Sequence, residues 1–261
     1  MNQWSRRRKT FIFSIILLFV IVVIGLPAFL FFYRTPTCFD SKQNGDETGV
    51  DCGGSCQKLC TAESLPLILE GDPRVISIRN NEFIAVAVVE NPNANAEIYR
   101  AGYTLKLYAL STIPLKTIEG DTFVPKGSEF AIFEGPFTLE NGMIPTRVSL
   151  EWKEDSLVWR KNNSITPNVS VRNINITKED TMPRIDAIVE NLSATSVFNV
   201  DLVILVKDSS GNTFQASKTF VDFLEAGRSM PIVFTWPKAF EKTVLGTEVI
   251  IRVLPDRSFV R

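Results

Sequence analysis

The sequence predicts an all-β protein, with two tandem β-sandwich domains that follow a single N-terminal transmembrane helix and a small disulfide-rich module. The prediction rests on an uncharged apolar run near the N-terminus, on a cluster of cysteines just after it, and on the pattern of the remainder. That remainder alternates short runs rich in Val, Ile, Phe and Thr with turn residues, and no amphipathic helix interrupts it. Such a pattern is typical of β-sandwiches.

The apolar run covers residues 11–33 and is long enough to cross a membrane. As a helix it would extend about 35 Å at about 1.5 Å per residue, more than a hydrocarbon core of about 30 Å. The tail of residues 1–10 carries Arg6, Arg7, Arg8 and Lys9 and no acidic residue, which predicts a cytoplasmic N-terminus and extracytoplasmic C-terminal domains. A cleaved signal peptide is the competing interpretation, but its apolar region is shorter, about 7–15 residues. The lipid bilayer is therefore the first predicted partner.

The composition argues against several functional classes. The chain of 261 residues has a net charge of −1, so it lacks the basic excess that marks nucleic-acid binding. It contains no histidine, which removes Ser-His-Asp and Cys-His nucleophile systems and the commonest transition-metal ligand. We therefore predict a protein that is not an enzyme and that needs no cofactor.

All four cysteines, Cys38, Cys52, Cys56 and Cys60, fall in a module of residues 34–61. An even number of clustered cysteines in an extracytoplasmic segment predicts two disulfides, with three pairings open. A zinc site of four thiolates is the alternative, and it would need a reducing compartment. A connector of residues 62–72 follows the module.

The same module contains a candidate calcium loop. Aligned with an EF-hand loop, its candidate ligands are Asp40 at position 1, Asn44 at position 5, Asp46 at position 7 and Asp51 at position 12. Position 3 is Lys42, a cation where a ligand belongs, and position 12 is not the usual glutamate. The alternative is an Asn-Gly turn with solvated acidic residues, stiffened by the disulfides, and the sequence favours this alternative.

The β-type runs fall into two sets, which predict domains at residues 73–161 and 167–261. The first set of predicted strands covers residues 74–79, 82–90, 103–110, 116–123, 129–134 and 147–153. The second set covers residues 168–176, 184–190, 200–207, 214–223, 230–236 and 248–254.

The two sets also resemble each other, which predicts tandem copies of one domain. The matches pair residues 89–91 with 189–191, Phe123 with Phe223, Gly127 with Gly227, and residues 105–107 with 203–205 after a two-residue gap. We expect each of these glycines to adopt a positive φ in a turn, and each of these phenylalanines to fill the core of its own copy.

Three parts of the chain resemble known families. The strings NGDET (residues 44–48) and DCGG (residues 51–54) resemble a Cys-rich module beside anchors and adhesion-type domains in bacterial surface proteins. The Asn-Pro-Asn turn at residues 91–93 resembles the WHy domain of late-embryogenesis-abundant proteins. The pattern around Leu205, Asp208 and Gly211, followed by Ala226-Gly227, looks like bacterial FxLyD-type domains. These resemblances imply an immunoglobulin-like topology.

The functional hypothesis is a membrane-anchored extracytoplasmic protein that binds or scaffolds a protein or cell-envelope partner. A stress-protective module tethered to the membrane is the alternative that the WHy resemblance implies. A carboxylate-based enzyme acting on glycans is the third hypothesis, with Asp121, Glu134 and Glu151 as scattered candidates.

Overall fold

A computed structural model of the chain describes residues 3–27, 37–79, 81–139 and 142–255. The described residues divide into two compact units between Cys56 and Gln57. Parts of the predicted tail, helix, module and second domain lie outside the described residues, namely residues 1–2, 28–33, 34–36 and 256–261.

The first unit begins with a helix, α1 (Gln3–Val20), which continues as a π-helical turn over Ile21–Gly25. The segment Arg7–Gly25 has a mean hydropathy of 2.3, and its length and composition suit a membrane span or a signal sequence. Residues 3–10 of the predicted cytoplasmic tail are already helical, as part of α1, and the side of the membrane on which they lie stays a prediction. Leu26 donates its N–H to the carbonyl of Ile21, five residues back, just before Pro27. Proline has no N–H to continue the helical pattern, which accounts for an irregular turn at this point.

The Cys-rich module is held by disulfides, as predicted. All four cysteines are disulfide-bonded, and one bridge joins Cys38 to Cys56. The described chain therefore offers no cysteine thiolate for zinc. The DCGG string contains two glycines that no other residue could replace without strain. Gly53 and Gly54 have φ values of 79° and 48°, and a Cβ atom on Gly54 would lie 2.0 Å from the carbonyl oxygen of Asp46.

The second unit contains two sandwiches of two sheets each. In each sandwich, we call the sheet that packs against the other sandwich the inner sheet, and the remaining sheet the outer sheet. The first outer sheet consists of β4 (Ala96–Tyr108), β5 (Lys116–Val124), β7 (Arg147–Trp152) and β8 (Trp159–Lys161). The first inner sheet consists of β1 (Ile68–Leu69), β2 (Arg74–Arg79), β3 (Glu82–Glu90) and β6 (Glu129–Thr138). The second inner sheet consists of β11 (Val197–Lys207), β12 (Thr213–Leu224) and β14 (Gly246–Val253). The second outer sheet consists of β9 (Val169–Thr177), β10 (Arg184–Asn191) and β13 (Ser229–Thr235).

All twelve predicted strands are present, and the all-β prediction is confirmed. Sequence reasoning missed β1, which lies in the predicted connector, and β8. It also placed the start of β4 seven residues too late, at residue 103 instead of Ala96. A two-residue strand and a three-residue strand are too short to show alternation, so no sequence signal marks them.

Each sandwich has its own core. In the first, Val89 of β3 and Phe130 of β6 pack against Leu105 of β4, and all three side chains are buried. In the second, β10 and β13 supply Val189 and Phe234 against the inward residues of β11. Burial of each such aliphatic or aromatic side chain contributes on the order of 1.5–3 kcal/mol.

A third cluster of buried apolar side chains joins the two sandwiches. The first inner sheet contributes Ile76, Ile84, Val86 and Ala131, and the second inner sheet contributes Val203, Leu205, Ala216 and Ile250. Strands β3 and β11 are therefore buried on both faces. This explains why residues 83–89 and 200–206 are almost continuously apolar instead of alternating.

The register of the strands corrects the predicted match between residues 105–107 and 203–205. Leu105 and Leu107 lie in the core of the first sandwich, whereas Val203 and Leu205 face the other sandwich. The core position that corresponds to Leu105 is Ile204, at an offset of 99 residues. A one-residue error reverses every side chain because alternate residues of a strand point to opposite faces.

The predicted role of the two phenylalanines is wrong, whereas that of the glycines is confirmed. Phe123 is buried, but it packs against Leu254 and Phe220 of the second sandwich and is not part of its own core. Phe223 is 48% exposed. Gly127 and Gly227 adopt positive φ values of 51° and 65° in their turns.

A buried ion pair lies in the contact between the sandwiches. Arg252 donates to Asp201 at 2.8 Å, and both side chains are only 8% exposed. The same guanidinium reaches the first sandwich, where it donates to the hydroxyl of Thr122 at 2.7 Å and to the carbonyl of Phe123 at 3.1 Å. Arg252 thus ties β14 to β5 as well as to β11.

We expect Arg252→Ala to lower the free energy of unfolding by about 3–5 kcal/mol, because it leaves Asp201 buried without a counter-charge. The double variant Asp201→Leu/Arg252→Met removes both charges and should recover most of the loss. Denaturant unfolding of the full chain in detergent micelles measures both. Equal destabilisation by the two variants would contradict the conclusion that the unpaired charge of Asp201 causes the loss.

Candidate functional site

The carboxylates among the candidate calcium ligands accept local hydrogen bonds, whereas the side-chain oxygen of Asn44 is buried without a hydrogen-bond partner among the described residues. The carboxylate of Asp51 accepts from the backbone N–H of Asp40 at 2.9 Å and of Ser41 at 3.0 Å. Asp40 in turn accepts from the side-chain amide of Asn44 at 2.9 Å. Asp46 accepts from the hydroxyl of Ser55 at 2.7 Å. The three aspartates and the side-chain amide of Asn44 thus hold the loop together, and both the calcium site and the solvated-turn alternative stay predictions.

Among the described residues, one cluster of potential metal ligands is present in the module. It consists of Cys38, Glu47 and Cys56, and it does not include the three aspartates. The two cysteines are bonded to each other, so neither can act as a thiolate ligand. A disulfide sulfur also carries no proton, so the 3.3 Å approach of Glu47 to Cys56 is a contact and not a hydrogen bond.

The Asn-Pro-Asn turn is held together by a buried asparagine. The side chain of Asn91 is completely buried, and its amide donates to the carbonyls of Ala96 at 2.8 Å and Pro125 at 2.7 Å. Its side-chain oxygen accepts from the backbone N–H of Asn93 at 3.0 Å. Its backbone N–H donates to Ser128, in the next loop. One side chain therefore joins two loops at one end of the first sandwich.

The second sandwich repeats this arrangement although its sequence continues as Leu-Ser. The completely buried Asn191 donates to the carbonyls of Thr195 at 2.9 Å and Leu224 at 3.1 Å. It accepts from the backbone N–H of Ser193 at 3.0 Å, and its own backbone N–H donates to Arg228. The shared asparagine is a structural element of both loop ends.

The candidate catalytic carboxylates have separate partners. Asp121 pairs with Arg100 at 2.8 Å, and Glu151 pairs with Lys106 at 2.6 Å. Glu134 accepts a short hydrogen bond from the hydroxyl of Tyr103. Each carboxylate is thus engaged in a pair of its own, and the geometry assigns these three residues structural contacts.

A groove of about 330 Å³ lies between the two inner sheets, at the edge of their contact. Its walls include Glu70, Glu129 and Glu248, together with Lys207 and Arg74. Sequence reasoning missed this feature, because its residues come from both sandwiches and no local motif links them.

Glu129 has a raised pKa in this groove. Partial burial removes water from its carboxylate, and the negative charges of Glu248, Glu70 and Glu90 add to this effect. The positive charge of Lys207, which pairs with Glu248 at 2.6 Å, opposes it. The groove therefore concentrates negative charge at the boundary between the sandwiches.

No protein-family model and no curated protein matches the chain. Solved structures give only distant similarity. An exo-chitosanase of Amycolatopsis orientalis is 13% identical over 71% of this chain and 26% of its own, with a TM-score of 0.24. Red sea bream transglutaminase is 9% identical over 72% of this chain and 31% of its own, with a TM-score of 0.22. A Bacteroides uniformis β-glucuronidase is 11% identical, over 67% of this chain and 26% of its own, with a TM-score of 0.21. The chain thus spans less than a third of these proteins, and similarity this low carries no functional argument.

We expect Asn91→Ala to lower the free energy of unfolding by about 1–3 kcal/mol, because the carbonyls of Ala96 and Pro125 lose their donor in a buried site. Asn163, which is exposed in the linker, provides the matched control, and Asn163→Ala should be neutral. Chemical denaturation of the full chain checks both variants. A neutral Asn91→Ala would show that the loops are held by other contacts.

We expect Glu129→Gln to stabilise the protein at neutral pH. A raised pKa means that the folded state holds the proton more tightly than the unfolded chain, so the wild type loses stability as the pH rises through the folded pKa. The gain should vanish below about pH 4, where glutamate is protonated in both states. Thermal unfolding across this pH range measures it.

Glu119→Gln is the control of opposite sign. The hydrogen bond from Lys153 lowers the pKa of Glu119, so this variant should give no gain at neutral pH. A similar gain in both variants would indicate a general effect of net charge and would contradict the role given to the groove.

Proposed function

We propose that this protein is a single-pass membrane protein with a cytoplasmic N-terminus, and that its extracytoplasmic part is a rigid binding or scaffold module. The two sandwiches are, in this proposal, tandem copies of one immunoglobulin-like domain at the cell surface. The apolar segment Arg7–Gly25 supports the anchor, and the disulfides support an oxidising location for the module.

The observation that carries the proposal is the buried cluster between the inner sheets. Flexible tandem domains expose polar surfaces to each other, whereas here Ile84, Val203 and Ile250 are buried between the sandwiches. The linker is also held, because the ammonium of Lys126 donates to the carbonyl of Asn162 at 3.0 Å and to that of Ser164. A fixed angle between two domains suits a spacer that presents a surface in one orientation.

The proposed duplication is supported by corresponding residues in the two sandwiches. The buried asparagines lie 100 residues apart and make the same contacts with the neighbouring loops. Core residues Ile98 and Ala101 of β4 correspond to Val197 and Val200 of β11 at an offset of 99 residues. One residue fewer in the second copy's loop after the asparagine accounts for the change in offset.

Trypsin added to intact cells tests the topology and the rigid unit together. We expect it to release a fragment that contains both sandwiches, while the N-terminal residues stay with the membrane. Trypsin sites at the end of the first sandwich are protected because β8 is paired with β4. Intact-mass analysis identifies the released fragment.

Ile84→Glu provides the comparison, since a charge in the inter-sandwich cluster should separate the sandwiches and expose this junction. Thr117→Glu, at an exposed position of the first outer sheet opposite Lys106, should behave as the wild type. Protection of the sandwiches until the cells are lysed, or a mature protein that lacks α1, would contradict the proposed topology. Separate release of the two wild-type sandwiches would contradict the rigid unit.

A further inference from the structure

Two aromatic side chains are exposed next to each other on the second inner sheet. Phe198 of β11 and Phe223 of β12 are cross-strand partners, and their ring centroids are 4.9 Å apart. The side chains are 57% and 48% exposed. Exposed apolar residues are common singly, but two tilted rings in contact form a compact apolar surface. We call these two residues the aromatic pair.

The aromatic pair continues the face of the sheet that already contacts the first sandwich. The adjacent residue Val197 points into the core of the second sandwich, so Phe198 points to the opposite face, and the positive φ of Asn199 returns Val200 to the core side. On that face, Phe220 packs against Phe123 of the first sandwich. The aromatic pair therefore extends an existing contact surface beyond its covered part.

The corresponding position of the first sandwich shows what such a ring contacts. Phe123 directly precedes Val124, which pairs with Ile98, just as Phe223 directly precedes Leu224, which pairs with Val197. Phe123 is only 6% exposed because the next sandwich covers it.

The second sandwich covers Phe123 with apolar side chains and one hydrogen-bond donor. Leu254 and Phe220 contact the ring of Phe123, and Arg252 donates to its carbonyl. In the first sandwich, this position is thus the docking point for the sheet of a neighbouring domain.

We propose that the aromatic pair is the docking surface for a β-sheet domain of a partner protein that supplies an aliphatic or aromatic side chain, in the way that Leu254 and Phe220 cover Phe123. The inference rests on the proposed duplication, because the argument transfers an observed contact from one sandwich to the corresponding place in the other.

A second copy of this chain fits the aromatic pair poorly. Suppose that a second copy docked as the second sandwich docks on the first. Its first sandwich would then place Asp121 at the position of Phe220, since the two residues pair with corresponding positions of the central strands β4 and β11. Asp121 is charged and paired with Arg100 at 2.8 Å. Covering two aromatic rings with this ion pair would cost desolvation energy without an apolar contact in return.

In-cell photo-crosslinking of the full-length protein tests the proposal. Benzoylphenylalanine at position 198 keeps an aromatic ring there and reacts with C–H bonds of whatever lies against it. We expect one crosslinked partner, joined through an aliphatic or aromatic residue of a β-strand that peptide mass spectrometry identifies. Phe223→Ser in the same chain should reduce that crosslink at least tenfold.

Leu245→Ser is the matched control, since Leu245 is 71% exposed and is not part of the aromatic pair, and this variant should leave the crosslink unchanged. The unfolding midpoint of Phe223→Ser should stay close to that of the wild type, which shows that a lost crosslink reflects lost docking and not misfolding. Crosslinks to a second copy, to lipid alone or to nothing would overturn the proposal, as would a crosslink that Phe223→Ser leaves unchanged. Trypsin release of both sandwiches together would then still support the rigid extracytoplasmic unit.

Discussion

The contact between the two inner sheets is the constraint on which the structure of the two sandwiches depends. A sheet in an ordinary sandwich has one apolar face, which packs on the core. Strands β3 and β11 have two, because their outward faces pack against the other sandwich. Their outward residues, such as Val86 and Leu205, would be unfavourable in water if the sandwiches separated. The buried ion pair of Arg252 and Asp201 fixes the orientation of the two sandwiches in this apolar contact, because Arg252 reaches its hydrogen-bond partners on β5 in only one relative arrangement.

The outer sheets carry charge at the positions where the inner sheets carry apolar residues. Arg184 and Asp186 of β10 correspond to Ile84 and Val86 of β3 at an offset of 100 residues, and they pair with each other at 2.7 Å. On the first outer sheet, Lys106 corresponds to Leu205 and pairs with Glu151 at 2.6 Å. Surface ion pairs of this kind contribute little to stability, so their main physical effect is to keep these faces hydrated.

Sequence reasoning was successful where the signal is local. The strands, the disulfide-bonded module and the positive φ of Gly127 and Gly227 all follow from short patterns of residues. The predicted fold class needed no more than these patterns.

What sequence reasoning missed depends on contacts between distant residues. The roles of Phe123 and Phe223 differ because one is covered by the next sandwich and the other is not, which no pattern around either residue can show. The helical state of residues 3–10 was missed for another reason. Charge patterns indicate where a membrane segment ends, but the helix itself can continue past that boundary. The groove around Glu129 likewise combines side chains from both sandwiches.

The charged outer faces also determine how the stack ends. The two sandwiches contact each other through different surfaces. A contact between unlike surfaces can repeat and build a filament. Ion pairs such as that of Arg184 and Asp186 oppose this repetition by a further copy of the chain, since its inner sheet would have to dehydrate them on β10, whereas the aromatic pair lies on the other sheet, at β11 and β12. The charged outer faces therefore favour a stack that ends after two sandwiches.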